Sequence, residues 1–217
     1  FNDVKTVVLT KSYRSTGNIT NFTKDILETH EPIEAVDRIG DNPTIHIVNN
    51  NLEERISTKI NEMKDKGYKI GIITSASIDH ATPGGFYASQ PDRSMYYEIG
   101  VDAANSGFDF FGGAGLLEPR SKRNLSAPCL YDLFNQKGYT MFRGMDAYNR
   151  ATAKDKILLF PTDTVSKSLK YAMDRSGKDL SLPDLTKACL ANFQETAKKG
   201  FFMICLLYTS DAADEAR

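Results

Sequence analysis

The chain has 217 residues, 41% of them hydrophobic and 25% charged, and a net charge of -1. That length suffices for one domain or two small ones, and the hydrophobic share is ordinary for a soluble globular protein. The balanced charge gives no argument for nucleic-acid binding by charge alone, and no apolar run approaches the ~20 residues of a membrane span.

Cys129, Cys189 and Cys205 are widely spaced and unaccompanied by partners at metal-ligand spacing, which argues against a disulfide framework or a structural zinc site. They read as buried or incidental thiols. Phe1 opens the chain without a methionine, and the first apolar run, residues 7–9, is strand-length rather than a signal peptide. The missing start suggests a fragment.

Residues 4–9 are β-branched and short, which predicts a strand. Ser15 or Thr16 then caps a helix that places Ile19, Phe22, Ile26 and Leu27 on one face. A second strand is expected over 44–48, after Pro43. Leu52, Ile56, Ile60 and Met63 repeat at helical spacing up to Gly67, which is placed to end that helix. The order over residues 1–66 is β-α-β-α.

Within this stretch, Tyr13-Arg14-Ser15-Thr16 followed by Ile19 and Phe22, and later Arg38-Ile39-Gly40-Asp41-Asn42-Pro43, resembles a segment of UvrD-like superfamily 1 helicases. The resemblance implies that Tyr13 packs on an adenine and Arg14 reaches the γ-phosphate, a role suited to a planar, permanently charged guanidinium. The bland alternative is a tyrosine packed on its own helix and a solvated arginine. The chain carries no G-x-x-x-x-G-K-[ST] phosphate loop and no acidic magnesium motif, so ATP hydrolysis is not expected.

Residues 69–74 form a compact apolar run, read as a buried strand, which gives way to the polar stretch 75–82. Functional groups of α/β sheets gather at such carboxyl ends of strands. Gly71-Ile72-Ile73-Thr74-Ser75, then Asp79-His80-Ala81-Thr82-Pro83, then Phe86-Tyr87-Ala88 and Arg93, match in order and spacing the pattern of the alkaline phosphatase family, which this part of the chain resembles.

The resemblance implies a metal-dependent phosphomonoester hydrolase. In complete members two zinc ions activate a serine nucleophile and water, and magnesium assists. Thr82 matches the hydroxyl ligand of the magnesium site, a hard donor for a hard cation. His80 matches the position beside that metal, and Arg93 matches the arginine that grips the substrate phosphate. Ser89 replaces a histidine common in the family, and Gly84-Gly85 replaces small alanines.

Downstream, a helix is expected over 95–106 and a strand over 108–111, followed by the glycine-rich turn 112–115. A helix opening at 127–133 should end near Gly138, and another strand is expected over 156–160. Ser181 and Asp184 have capping-box spacing for a helix that runs to Lys199, with Gly200 as its stop and a strand after it. The architecture expected over residues 67–204 is an α/β fold with a mostly parallel sheet and flanking helices, preceded by the small β-α-β-α segment.

The family's nucleophilic serine and its zinc-ligand motifs are not found, so zinc and magnesium occupancy is not expected in this chain. Residues 205–217 continue neither family and look like the translated read-through of a sequencing adapter. The expected organisation is a helicase-like fragment over 1–66, a phosphatase fragment over 67–204 and a non-native tail. Three functions stay open: a phosphomonoesterase fragment acting on phosphate monoesters, a nucleotide- or nucleic-acid-binding module, and a non-functional chimera. A phosphatase parent would be periplasmic or secreted, and a helicase parent cytoplasmic.

Overall fold

The structure, a computed structural model, describes residues 11–12, 16–27, 34–35, 42–43, 52–152, 155–162 and 167–207. The expected strands at 4–9 and 44–48, and with them Tyr13 and Arg14, lie outside the described residues. The chain divides into two compact units, Phe1–Asn50 and Asn51–Arg217. In the first, β1 (Lys11–Ser12) and β2 (Glu34–Ala35) pair in parallel, joined through α1 (Gly17–Leu27). Asn18 Nδ2 donates to Asn42 Oδ1 at 2.7 Å. The expected helix forms, but two residues of its apolar stripe stay open: Ile19 is 43% and Ile26 59% exposed.

The second unit begins with α2 (Leu52–Asp65), which Gly67 stops with a left-handed φ of 83°. It continues through β3 (Lys69–Thr74), α3 (Ala81–Gly84), α4 (Tyr96–Ser106), β4 (Phe110–Gly112), α5 (Leu130–Gln136), β5 (Tyr139–Arg143), α6 (Met145–Arg150), β6 (Lys156–Phe160), α7 (Leu182–Thr196) and β7 (Phe201–Leu206). The five strands β3 to β7 make one sheet in the order β5-β6-β4-β3-β7, and every neighbouring pair is parallel.

Side chains alternate across this sheet with the strand period of two. Ile70, Ile72, Phe111, Leu158 and Phe160 join one core, closed by Ile60 of α2, Ala103 and Ala104 of α4 and Leu130 and Phe134 of α5. Ile73, Phe110, Ile157 and Leu159 join the other, closed by Tyr148 of α6 and by Leu185, Ala188, Cys189 and Phe193 of α7. Helices thus cover both faces, as an all-parallel sheet requires. Burying six phenylalanines nearly completely, Phe108 to Phe193, supplies much of the driving force at roughly 25 cal/mol per Å² of apolar surface.

Two details depart from expectation. The ladder of β4 begins at Phe110 rather than at 108, and just before it the Asp109 carboxylate takes the Ile70 N–H and the Lys69 ammonium, both at 2.8 Å. Strand β5 was not expected, since its exposed Thr140 and Met141 interrupt the alternation, as an edge strand allows. The capping box at α7 is present: Ser181 Oγ accepts the Asp184 N–H, and Asp184 Oδ2 accepts the Ser181 N–H. Among the described residues, the three cysteines are free thiols and no helix is long and apolar enough to cross a membrane.

Candidate functional site

The polar stretch after β3 is buried throughout, from Ser75 to His80. A buried loop must find partners for its backbone, and this one does so on three sides. The Ser75 N–H donates to the Leu206 carbonyl at 3.0 Å, the Ser77 N–H to Lys167 at 2.9 Å and the Ile78 N–H to Gly115 at 2.9 Å. In return the Ala76 carbonyl accepts the Ala114 N–H at 2.9 Å, and the Ser75 carbonyl accepts Leu169 N–H at 2.7 Å. The glycine-rich turn after β4 is therefore a clamp on this loop. A Cβ at Gly113 would lie 2.8 Å from the Ala76 carbonyl oxygen, so the clamp closes only on glycine.

His80 ends the loop as the N-cap of α3, in extended conformation, and its Nδ1 accepts the Thr82 N–H at 3.3 Å. That contact needs an unprotonated Nδ1, which puts the imidazole proton on Nε2. The one-turn helix buries Pro83 and Gly84 and leaves Thr82 exposed. Tyr87 folds back so that its hydroxyl donates to the Ile78 carbonyl, with its ring edge-on to Phe108 and Phe111. Burial first, then the charges of Asp79 and Asp102, holds that phenol well above its ordinary pKa.

The structure thus brings His80 and Thr82 together. Arg93 stands on a separate exposed turn that leads into α4, beside Asp92, whose Oδ1 accepts the Ser94 N–H at 2.8 Å. Asp79, which carries no role in the sequence pattern, is the most perturbed carboxylate of the stretch. It is fully buried, and Oδ2 accepts the Glu118 N–H at 3.0 Å. Burial raises its pKa to about 6 against the lowering pull of that N–H. Asp79 Oδ1 and Ser77 Oγ are buried without a hydrogen-bond partner among the described residues. An acid wedged between Ile78 and His80 at a strand's end was the available signal.

Among the described residues, no group of three or more His, Cys, Asp and Glu side chains comes together to hold a metal ion. The unpartnered Asp79 and Ser77 oxygens fall short of the roughly six oxygens magnesium takes, and no imidazole–carboxylate set suits zinc. The described residues do not by themselves fit either metal.

Against known proteins, the family model described as "Alkaline phosphatase" matches residues 35–109. Alkaline phosphatase 4 of Bacillus subtilis (strain 168) is 26% identical over 162 residues, which is 70% of this chain and 32% of the relative. The chain spans about a third of the length of that relative. The crystal structure of Thermus thermophilus alkaline phosphatase matches with 26% identity and a TM-score of 0.54, over 66% of this chain and 30% of that one. A His-to-Asp mutant of the alkaline phosphatase from the Antarctic bacterium TAB5, with Mg bound in its M3 site, matches in fold at 20% identity and a TM-score of 0.52, over 68% of this chain and 40% of that one.

These matches give no support to a helicase fusion, and the family-model match begins at residue 35, inside the segment with the helicase-like motifs. The alkaline phosphatase family resemblance extends over much of the chain, in sequence and in fold.

Proposed function

We propose that this chain carries the phosphate grip of an alkaline-phosphatase-like phosphomonoester hydrolase. The observation that supports it most is the buried loop at the carboxyl end of β3, pinned on three sides and ending in the His80-capped turn that presents the Thr82 hydroxyl. Arg93, exposed further along the same stretch, offers a planar fork to two oxygens of a phosphate monoester, a charge-assisted pair that strengthens as charge builds on the phosphoryl group. His80 and Thr82 are the candidate metal-side groups. The described residues do not by themselves complete a zinc or magnesium site.

The consequence is binding without turnover. A chromogenic phosphate ester with added zinc and magnesium should not be hydrolysed by the isolated chain, while inorganic phosphate should bind through Arg93. Robust turnover that disappears in Arg93→Ala would show that the chain holds a complete active site and would overturn this division of labour.

The finer organisation is part of the same proposal: a phosphatase fragment over 67–204, a helicase-like fragment over 1–66 with Tyr13 and Arg14 as nucleotide contacts, and a non-native tail over 205–217. It rests on the motifs alone: the two compact units part at Asn50 rather than near Gly67, and β7 runs on through Cys205 and Leu206, which pair with Ile73 and Thr74. Sequencing reads that run uninterrupted across residues 60–75 and 200–210 would rule out an assembly-derived join. Loss of labelled-ATP binding in Arg14→Ala would favour the nucleotide reading.

A further inference from the structure

We infer that a second binding site, separate from Arg93, lies between the carboxyl ends of β3 and β7 and takes an apolar molecule bearing a single carboxylate, with Arg175 as its anchor. In an open parallel sheet a ligand crevice forms where successive connections leave to opposite sides. Here β3 leads on to β4 on one side, whereas the chain returns after β6 to place β7 on the other. A pocket of about 450 Å³ occupies that position. Its walls include Ser75, the first residue after β3, and Leu207, the first after β7, with Leu169, Leu182 and Pro183 supplying apolar surface.

Charge chooses the ligand. Two cations line the pocket, Lys170 and Arg175. Lys170 is already matched: its ammonium meets Asp179 Oδ1 at 2.8 Å, and that carboxylate also accepts the N–H and hydroxyl of Ser176. Among the described residues Arg175 makes no such ion pair. Its Nε–H is buried without a hydrogen-bond partner among the described residues, a deficit an acceptor would relieve. Asp184, the nearby acid that feels its charge, already accepts the N–H and hydroxyl of Ser181. One guanidinium edge matches the two oxygens of one carboxylate, and a single cation suits a monoanion better than a phosphate dianion. The apolar walls call for an aromatic or branched aliphatic body of modest size.

Calorimetric titration of the full chain with naphthoate tests this, and the Arg175 and Arg93 variants, titrated side by side, tell this pocket from the Arg93 guanidinium, which can also pair with a carboxylate. Saturable one-to-one binding is expected, about tenfold or more weaker in Arg175→Ala, intermediate in Arg175→Lys and unchanged in Arg93→Ala, the scale set by one charge-assisted hydrogen-bonded pair. Naphthol, with the same body and no charge, should bind the unaltered chain about tenfold or more weaker, a comparison that needs no variant to fold. Absence of saturable naphthoate binding, equal affinity for naphthoate and naphthol, or loss of binding in Arg93→Ala with Arg175→Ala unaffected would each overturn the inference.

Discussion

The carboxylate of Asp79 accepts the backbone N–H of Glu118 at 3.0 Å from a position with no solvent exposure, and that pair ties the loop after β3 to the segment that follows the glycine-rich turn. It does so with a group that burial makes reluctant to ionise. An unfolded aspartate titrates near 3.9, whereas this one titrates at about 6. Between those values the folded chain holds a proton that the unfolded chain has lost. The stability this group contributes is fully present below the lower value and is lost as the pH rises through about 6.

At neutral pH the ionised form therefore costs the fold roughly 3 kcal/mol. Asp79→Asn keeps an acceptor for Glu118 and removes the charge. Its melting temperature should exceed that of the unaltered chain at pH 7.5, and the gap should close as the pH falls towards 4. Thermal melts across that range would contradict the account if the variant were the less stable at pH 7.5.

The clamp on the same loop depends on Gly113. A methyl group there would meet the Ala76 carbonyl oxygen at 2.8 Å and Ile78 Cγ2 at 3.0 Å, and the first of these is backbone that has nowhere to move without breaking the Ala114 hydrogen bond. Gly113→Ala should destabilise the fold by about 1–3 kcal/mol, the usual cost of overpacking. Chemical denaturation checks it; an unchanged midpoint would mean that the turn and the loop do not press on each other as described.

At the other face, Ser181 and Asp184 cap α7 reciprocally, the helix whose Leu185, Ala188, Cys189 and Phe193 close the second core. Ser181→Ala leaves the Asp184 N–H without its acceptor and should cost about 1 kcal/mol. Ser181→Asn or Ser181→Thr should recover much of that loss. A denaturation series in which alanine and threonine behave alike would show that the cap contributes nothing.

How far the sequence foretold this arrangement depended on which kind of signal each element carries. Strand β6 was legible to the residue, because a run such as Ile157 to Phe160 is buried on both faces and bounded by polar chain. The capping box of α7 and the glycine stop of α2 were legible because each is a local hydrogen-bonding rule. Strand β5 was not, since an edge strand with exposed Thr140 and Met141 owes its pairing to β6 rather than to its own pattern. At the site, the family resemblance singled out His80, Thr82 and Arg93, whereas Asp79 was marked only as an acid between Ile78 and His80 at a strand's end. Its burial comes from Glu118 and the Ser77 loop, which meet only in the fold.

The central claim is that Arg93 is the phosphate grip, and titration of inorganic phosphate into the chain and into Arg93→Ala tests it most directly. A charge-assisted pair of hydrogen bonds predicts affinity about tenfold or more weaker in the alanine variant, with Arg93→Lys between the two. Equal phosphate affinity for the unaltered chain and Arg93→Ala would contradict it.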